Sequence, residues 1–117
     1  MSRSTVLGLS FDTHDAARVA QFWATALGRP LADGASAHDA VVLASDISAG
    51  PRLAFHQVPE GKTVKNRVHL DLITTDIDGE SERLISLGAT VVNTISGQAR
   101  WITFADPEGN EFDLIAG

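Results

Sequence analysis

The sequence contains no cysteine, which excludes disulfide bonds, zinc–thiolate sites, iron–sulfur clusters and cysteine nucleophiles. A chain without cysteine is compatible with the reducing cytoplasm, where we expect this protein to reside. Basic residues are also scarce, with 9 lysines and arginines against 15 acidic residues, and they form no cluster. We therefore expect no nucleic-acid partner, since such a protein normally presents a basic face to phosphates.

Long apolar runs are missing as well. The longest runs are far too short to cross a bilayer, and residues 1–5 lead into a strand-like segment without the apolar stretch of a signal peptide. We expect no membrane partner. The formal net charge of −6 either suits a neutral or cationic ligand or a metal ion, or only keeps the protein in solution. Aromatic residues make up only 6% of the chain, so Trp101 is informative.

The chain does have 44% hydrophobic residues over 117 positions, which is ordinary for one globular domain with a core. Its two halves repeat one order of elements. A strand (about 5–12 and 67–74) precedes a helix (about 15–27 and 78–87) in each half. Three short strands follow each helix, at 30–31, 40–44 and 52–58 in the first half and at 90–94, 99–105 and 111–115 in the second.

Local signals bound these elements. Oxygen-bearing side chains that can cap a helix N-terminus precede both helices, namely Asp12, Thr13, Asp15, Thr75 and Asp76. Gly28 and Gly88 suit the helix ends, and the Asp106–Asn110 segment predicts the turn of a hairpin. We predict an α+β fold in a single domain, 1–117. Two βαβββ modules (about 4–58 and 65–116) form a curled mixed sheet of half-barrels around a cavity, with the helices outside.

Strand alternation predicts which side chains leave the core, because one face of an alternating strand packs inward and the other faces a wetter space. The residues predicted to be buried are Leu7, Leu9, Phe11, Leu53, Phe55, Val68, Leu70, Leu72, Ile102, Phe104, Phe112 and Leu114. If the helices cover the outer face, the remaining side chains line one concave surface. These are Ser10, His56, His69, Asp71, Trp101, Thr103, Glu111 and Asp113.

Three stretches resemble the vicinal-oxygen-chelate superfamily (glyoxalase/bleomycin resistance/dioxygenase), in its glyoxalase-like domain branch. They are Phe22-Trp23-x-x-x-Leu27-Gly28, Lys65-Asn66-Arg67-Val68-His69-Leu70-Asp71-Leu72 and Asp106-Pro107-Glu108-Gly109-Asn110-Glu111-Phe112. The resemblance covers nearly the whole chain, and it implies metal ligands on the first and last strands of both modules. Those positions fall on Gly8, on or beside His56, on His69 and on Asp113. Since Gly8 has no side chain to offer, the resemblance implies neither glyoxalase I nor extradiol dioxygenase activity.

Two histidines with carboxylates suit a divalent metal ion of the non-haem iron type. We predict His56, His69 and Asp113 as its ligands and Glu111 as the catalytic base. The predicted substrate-binding residues are Ser10, Asp71, Trp101 and Thr103. Alternatives remain open: His69 is a ligand or a hydrogen-bonded pocket histidine, Asp71 orients His69 or binds Arg67, and Trp101 packs or stacks on a planar ligand.

The preferred hypothesis is a protein that binds a small organic molecule and acts as a metal-dependent lyase, isomerase or dioxygenase. Its one divalent metal ion, of unknown identity, would chelate adjacent substrate oxygens. The alternative is a non-catalytic antibiotic-binding or resistance protein that holds its ligand with Trp101 and acidic groups and needs no metal. A third is a scaffold whose cavity is filled by side chains. We expect a homodimer, whose modules pair within one chain or across two.

Overall fold

The computed structural model describes residues 3–45, 49–97 and 100–117. Two helices and seven strands follow the chain in the order β1 (Gly8–Thr13), α1 (Ala16–Leu27), β2 (Asp39–Val42), β3 (Arg52–Gln57), β4 (Leu70–Thr74), α2 (Ile77–Leu87), β5 (Thr90–Ile95), β6 (Trp101–Ala105) and β7 (Glu111–Ala116). The chain divides into two compact units, Met1–Gly61 and Lys62–Gly117. This boundary falls inside the connection expected between the two modules. The α+β prediction is confirmed, as two open mixed sheets with one helix each.

Helix α1 of the first unit begins and ends where its capping signals predict. The Asp15 side chain accepts a hydrogen bond from the Arg18 amide, and Gly28 adopts the left-handed conformation that ends the helix (φ 64°, ψ 37°). The helix packs on β2 and β3. The sequence predicts an apolar stripe of Ala16, Val19, Ala20, Trp23 and Leu27. All of these are buried except Leu27, which is half-buried, and the buried face also includes Phe22, Ala24 and Ala26.

The first sheet has the strand order β1-β3-β2, with β1 parallel to β3 and β2 antiparallel to it. Leu53 and Phe55 are buried as predicted. Leu7 is 59% exposed, which corrects the prediction of burial, because α1 covers β2 and β3 while Leu7 precedes the edge strand β1. Leu9 and Phe11 are only half-buried for the same reason. The strand predicted at 30–31 is a single bridge from Leu31 to Val42.

Helix α2 of the second unit has a narrower buried face than its sequence predicts. Asp76 caps its N-terminus by accepting a hydrogen bond from the Gly79 amide at 3.0 Å. Ile77, Ser81 and Leu84 are buried, whereas Ile85 is 49% exposed. The sequence predicts an apolar stripe of Ile77, Leu84, Ile85 and Leu87. The burial that this stripe implies for Ile85 is wrong, because Ile85 lies off the face of α2 that carries the buried residues. None of the helices in the described ranges is long and apolar enough to span a membrane.

The second sheet has the order β4-β7-β6-β5, with β4 parallel to β7 and the other pairs antiparallel. Its core contains Ile102, Phe104, Phe112 and Leu114, all buried as predicted. On the edge strand β4 burial is weaker: Leu70 and Leu72 are half-buried. Val68 is 72% exposed, which corrects its predicted burial, since the strand begins only at Leu70. The strand predicted at 99–105 begins at Trp101, and Ala99 lies outside the described residues.

The turn before β7 forms as its sequence predicts. The Asp106 carboxylate accepts hydrogen bonds from the Glu108 and Asn110 amides at 2.9 and 3.0 Å. Gly109 takes the positive φ of 89° that the turn requires. The hairpin fixes the register of β6 against β7 and thereby places Thr103 opposite Asp113.

Candidate metal centre

His69, Asp71 and Asp113 come together in the second unit, on β4 and β7. Asp71 lies directly opposite Asp113 in the parallel strand pair, and His69 immediately precedes β4. The His69 Nδ1 atom is 3.1 Å from Asp71 Oδ1 and 3.9 Å from Asp113 Oδ2. One potential ligand atom from each residue lies within 4.8 Å of the other two. We call this group the His69 cluster; within the described residues no other three histidine or acidic side chains satisfy this spacing.

The alternation of the two strands explains why these side chains meet. Leu70 and Leu72, and Phe112 and Leu114, turn toward the core, so the residues between them leave the sheet on the opposite face. The parallel register then sets two carboxylates side by side. Like charges directly opposite each other destabilise a sheet. A cation between them would relieve this repulsion.

Thr103 orients one carboxylate of the cluster. Its Oγ1 hydroxyl donates a hydrogen bond of 2.6 Å to Asp113 Oδ1 from the neighbouring strand β6. The other oxygen, Oδ2, is the one that approaches His69. The Asp113 side chain is 19% exposed, against 55% for Asp71. Asp113 is thus the better fixed of the two carboxylates, and Thr103, predicted to bind substrate, is engaged with it.

Glu111, the predicted base, is held by the segment at the start of the second unit. Lys62 forms an ion pair of 2.5 Å with one carboxylate oxygen, and the Asn66 amide donates to the other at 2.9 Å. Burial alone would raise the pKa of Glu111, but these two hydrogen bonds and the charges of Lys62 and Lys65 lower it below its ordinary value. Glu111 is therefore kept ionised, as a base must be, but with reduced proton affinity. Its catalytic role stays a prediction.

An apolar row lies beside the cluster on the same face of the sheet. Ile115 is paired with Ile73 on one side and with Trp101 on the other, and Trp101 is paired with Ile95. These positions are two residues along from Asp71, Asp113 and Thr103, so they share their face. Ile73 is 75% exposed and Trp101 is half-buried. Polar and apolar groups that could contact an organic molecule thus adjoin each other.

His56 and Ser10 belong to the first unit. The His56 Nδ1 atom is 2.8 Å from Asp39 Oδ1, and the two residues are cross-strand partners. Both side chains are at least half exposed. Ser10 is exposed and pairs with Ala54. The role of His56 as a metal ligand and that of Ser10 in substrate binding stay predictions. An open cavity of about 510 Å³ in this unit is lined by His14, Gln57, Val58 and Pro59, none of them a predicted site residue.

Sequence reasoning missed the partners of several site residues. No sequence signal points to Asp39 as the partner of His56, or to Lys62 and Asn66 as the partners of Glu111. The sequence predicts that Asp71 binds substrate, orients His69 or binds Arg67, whereas its carboxylate is also close enough to His69 to share an ion with it. Strand alternation already places Asp71 on the correct face. Only the register of β4 against β7, which pairs residues 42 positions apart, shows that Asp71 faces Asp113.

The family model of the glyoxalase-like domain matches residues 8–115. The chain belongs to the glyoxalase-like domain family. A search of curated proteins finds no match for it, but many solved structures share its fold. The resemblance to the glyoxalase/bleomycin resistance/dioxygenase superfamily that the sequence motifs carry is therefore confirmed.

Three structures illustrate the similarity of this glyoxalase-like domain to known folds. The fosfomycin resistance protein FosX from Mesorhizobium loti is 19% identical, with a TM-score of 0.75, and the match covers 99% of this chain and 94% of that one. A glyoxalase/bleomycin resistance protein/dioxygenase family enzyme from Burkholderia phytofirmans is 14% identical, with a TM-score of 0.76 and coverages of 97% and 98%. An E126Q mutant of FosX from Listeria monocytogenes is 16% identical, with a TM-score of 0.75 and coverages of 99% and 92%. The Listeria structure is a complex with Mn(II) and 1S,2S-dihydroxypropylphosphonic acid.

Proposed function

We propose that this glyoxalase-like domain binds one divalent metal ion at the His69 cluster and acts on a small organic molecule that carries adjacent oxygen atoms. The observation that carries the proposal is the direct opposition of Asp71 and Asp113 beside the His69 imidazole. The Mn(II) in the Listeria FosX complex supports the same class of cofactor. The reaction is then a metal-dependent lyase, isomerase or dioxygenase step.

The donor atoms of the cluster fit a divalent ion. Separations of 3.1 and 3.9 Å between the imidazole nitrogen and the two carboxylate oxygens match those between neighbouring ligands whose bonds to a metal are about 2.1 Å long. One imidazole with two carboxylates suits Mn²⁺ or Fe²⁺. His69 and Asp113 would hold the ion with Asp71, and His56 stays a predicted further ligand. Such an ion supplies Lewis acidity and a template for substrate oxygens.

The residues around the cluster have separate tasks in this proposal. Thr103 holds Asp113 Oδ1 and keeps Oδ2 toward His69. The apolar row of Ile73, Ile115, Trp101 and Ile95 contacts the organic part of the substrate. Glu111, ionised beside Lys62, is the proposed base. Because the ion pair lowers its proton affinity, Glu111 is suited to take a proton from a substrate group that is itself acidic.

The test is metal binding by protein made without a histidine tag, measured by elemental analysis and calorimetry with Mn²⁺, Fe²⁺, Ni²⁺ and Zn²⁺. We expect about one ion per chain in the wild type. His69→Ala should lose it, and the matched control His38→Ala, in an exposed loop, should retain it. His56→Ala decides whether the first unit contributes a ligand. A wild-type protein that retains no ion under any of these conditions would overturn the proposal.

A second candidate function is non-catalytic binding of an antibiotic, which the exposed apolar row favours. A planar cationic ligand could stack on half-buried Trp101 while nearby carboxylates balance its charge. Binding to metal-free protein with quenching of Trp101 fluorescence would support this function. Trp23 is 1% exposed and supplies a constant background, and Trp101→Phe should abolish the quenching. Quenching that persists in the Trp101→Phe variant would exclude stacking of the ligand on Trp101.

We also propose that the protein functions as a homodimer. Strands β1 and β4 each form an edge of their own sheet, and an edge strand can pair with another chain. Ile73 of β4 adds exposed apolar surface at one such edge. Sedimentation equilibrium should give twice the mass of one chain. A single species at 12.4 kDa would contradict the dimer.

A further inference from the structure

We propose that Asn66 is a positioning residue, which holds His69 in place beside the two carboxylates of the His69 cluster. Its hydrogen bonds join the segment before β4 to the start of β7, and we call this group of contacts the Asn66 clamp. Asn66 is not itself a member of the cluster. The inference rests on the proposed function and deepens it, since it makes the affinity of the cluster for its ion depend on a residue outside it.

The first observation is a reciprocal set of hydrogen bonds around Asn66. Its Oδ1 atom accepts from the Glu111 amide at 2.9 Å, and its Nδ2 group donates to Asn110 Oδ1 at 3.0 Å. Its own backbone amide donates to Glu111 Oε2 at 2.9 Å. One residue thus forms three hydrogen bonds to two consecutive residues, which lie 44 and 45 positions further along the chain. A shift of either segment would break several of these bonds at once.

The second observation is that the clamp is sheltered from water. Asn66 is half-buried and Asn110 is only 8% exposed. The Asn110 amide in turn donates to the Asp106 carboxylate at 3.0 Å, so the partner of Asn66 belongs to the ordered turn before β7. Polar groups that lose their partners in such surroundings cost more free energy than exposed ones. The clamp therefore restrains the segment before β4 more firmly than exposed contacts would.

The third observation is the short link from Asn66 to His69. Only residues 67–68 lie between them, and both of these are exposed. The pairing of β4 with β7 begins at Leu70, opposite Phe112, so His69 lies one residue before the first pair. The link is thus tied to β7 at both ends, by the clamp upstream and by the strand pairing downstream, while no buried side chain within it fixes its path.

These restraints determine where the His69 imidazole lies. Its Nδ1 atom is 3.1 Å from Asp71 Oδ1 and 3.9 Å from Asp113 Oδ2. Distances from a metal ion to its ligand atoms tolerate changes of only about 0.2 Å. A link of three residues can span about 10 Å, so release of its upstream end would let the imidazole leave the carboxylates. Asn66 therefore contributes to metal affinity through the position of His69.

The experiment begins with NMR spectra of the four histidine rings in wild type and Asn66→Ala, both freed of metal by chelation. We expect the ring signals of His69 to shift in the variant and its nuclear Overhauser effects to the Asp113 β-protons to weaken. The signals of His38 and His56, which belong to the first unit, should not move. Signals and contacts of His69 that are unchanged in the folded variant would overturn the proposal.

Calorimetry then measures the consequence for the ion. Asn66→Ala should lower the affinity for Mn²⁺ about tenfold or more, as for other groups that orient a metal ligand. Asn93→Ala is the matched control, because the Oδ1 atom of this exposed asparagine accepts from the amide of its neighbour, residue 94. The control should bind Mn²⁺ like the wild type. Wild-type affinity in a folded Asn66→Ala variant would overturn the proposal.

Two further variants separate positioning from a general loss of stability. Val42→Ala, at a fully buried position of the first sheet, should destabilise the protein and leave Mn²⁺ affinity unchanged. An equal loss of affinity in Val42→Ala and Asn66→Ala would overturn the proposal. Asn110→Ala removes the oxygen that accepts from Asn66 and should give a smaller loss than Asn66→Ala. It replaces that variant if circular dichroism shows Asn66→Ala unfolded, and wild-type affinity in it would then reject the clamp.

Failure of this inference is distinguishable from failure of the proposed function. The histidine spectra are recorded without metal, so their outcome does not depend on an ion. If the wild type binds no Mn²⁺ but Asn66→Ala still moves the His69 ring, the proposed function is rejected and the positioning of His69 is upheld. If the wild type and Asn66→Ala bind Mn²⁺ equally, only the clamp is rejected.

Discussion

The two units share a topology and differ in what they place on it. In both, the first strand lies at the sheet edge, runs parallel to the last strand and is followed by a helix. The second unit sets Asp71 against Asp113 in this strand pair, whereas the first sets Ser10 against Ala54 and Gly8 against Arg52. A pair of opposed carboxylates in one unit thus corresponds to small side chains and a cation in the other. The comparison teaches that the fold supplies positions and the side chains decide the chemistry.

The cores differ as well. Helix α1 buries seven residues, including Trp23, but α2 buries only three. Both sheets carry a stacked phenylalanine pair, Phe11 on Phe55 in the first unit and Phe104 on Phe112 in the second, with ring centroids 5.1 and 5.5 Å apart. The two units therefore differ chiefly in their helices, and α1 contributes more to the core of its unit than α2 does.

The largest expected effect tests this difference through the two tryptophans. Trp23→Ala should lower the free energy of unfolding by about 3–5 kcal/mol, because it removes a fully buried side chain from the α1 core. Trp101→Ala is the matched change at a half-buried position and should cost clearly less. Urea unfolding followed by circular dichroism measures both. Equal costs for the two variants would contradict the large contribution of α1 to the core of the first unit.

The next effect concerns the carboxylate that distinguishes the second unit. Asp113→Ala should reduce the affinity for Mn²⁺ about 100-fold or more, because a ligand is lost while Asp71 and His69 remain. Isothermal titration calorimetry gives the affinity. Asp39→Ala, at the exposed carboxylate beside His56 in the first unit, is the control. A larger loss of Mn²⁺ affinity in the control than in Asp113→Ala would place the metal ion in the first unit and contradict the proposal.

A smaller loss of metal affinity is expected when the Thr103 hydroxyl is removed. Thr103→Val removes the hydroxyl that holds Asp113 Oδ1 but keeps the shape of the side chain. Metal affinity should fall about 10-fold to 100-fold, as for other groups that orient a ligand, and Thr103→Ser should restore most of it. Affinity that is unchanged in the valine variant would mean that Asp113 needs no orientation.

The smallest effect involves the ion pair that anchors the start of the second unit. Lys62→Met should lower stability by about 1 kcal/mol at pH 7, since the pair is partly exposed. The pKa of Glu111 is depressed below its ordinary 4.5 in the folded protein. Its contribution is therefore full above pH 4.5 and is lost as the pH falls through the lowered value. Urea unfolding at pH 7 and pH 3 should show wild type and variant converging at the lower pH; a constant difference would contradict the assignment.

Much of the fold follows from local signals. Asp15, Gly28 and Asp76 act at short range, so the helix ends can be predicted from the residues beside them. The alternation of β6 and β7 likewise predicts their buried faces. Leu7 and Val68 escape prediction because their exposure depends on where the edge strands begin and on which strands the helices cover. The 30–31 segment forms only one β-bridge because it is too short to make a strand.

The candidate site, like the fold, can be predicted from the sequence only in part. Alternation places His69, Asp71, Thr103 and Asp113 on one face, which sequence alone can show. The contacts among them depend on the β4–β7 and β6–β7 registers, and parallel pairing across 42 residues has no local signature.

The opposition of Asp71 and Asp113 has a thermodynamic consequence. The carboxylates are brought together only when β4 and β7 pair, so a cation held between them binds the folded sheet in preference to the unfolded chain. Ion binding and strand pairing are then linked, and at a concentration of 100 times its dissociation constant the ion would stabilise the fold by about 2.7 kcal/mol. The melting temperature of this protein should therefore report the divalent ions in its surroundings, ranked by how well each one fits the cluster.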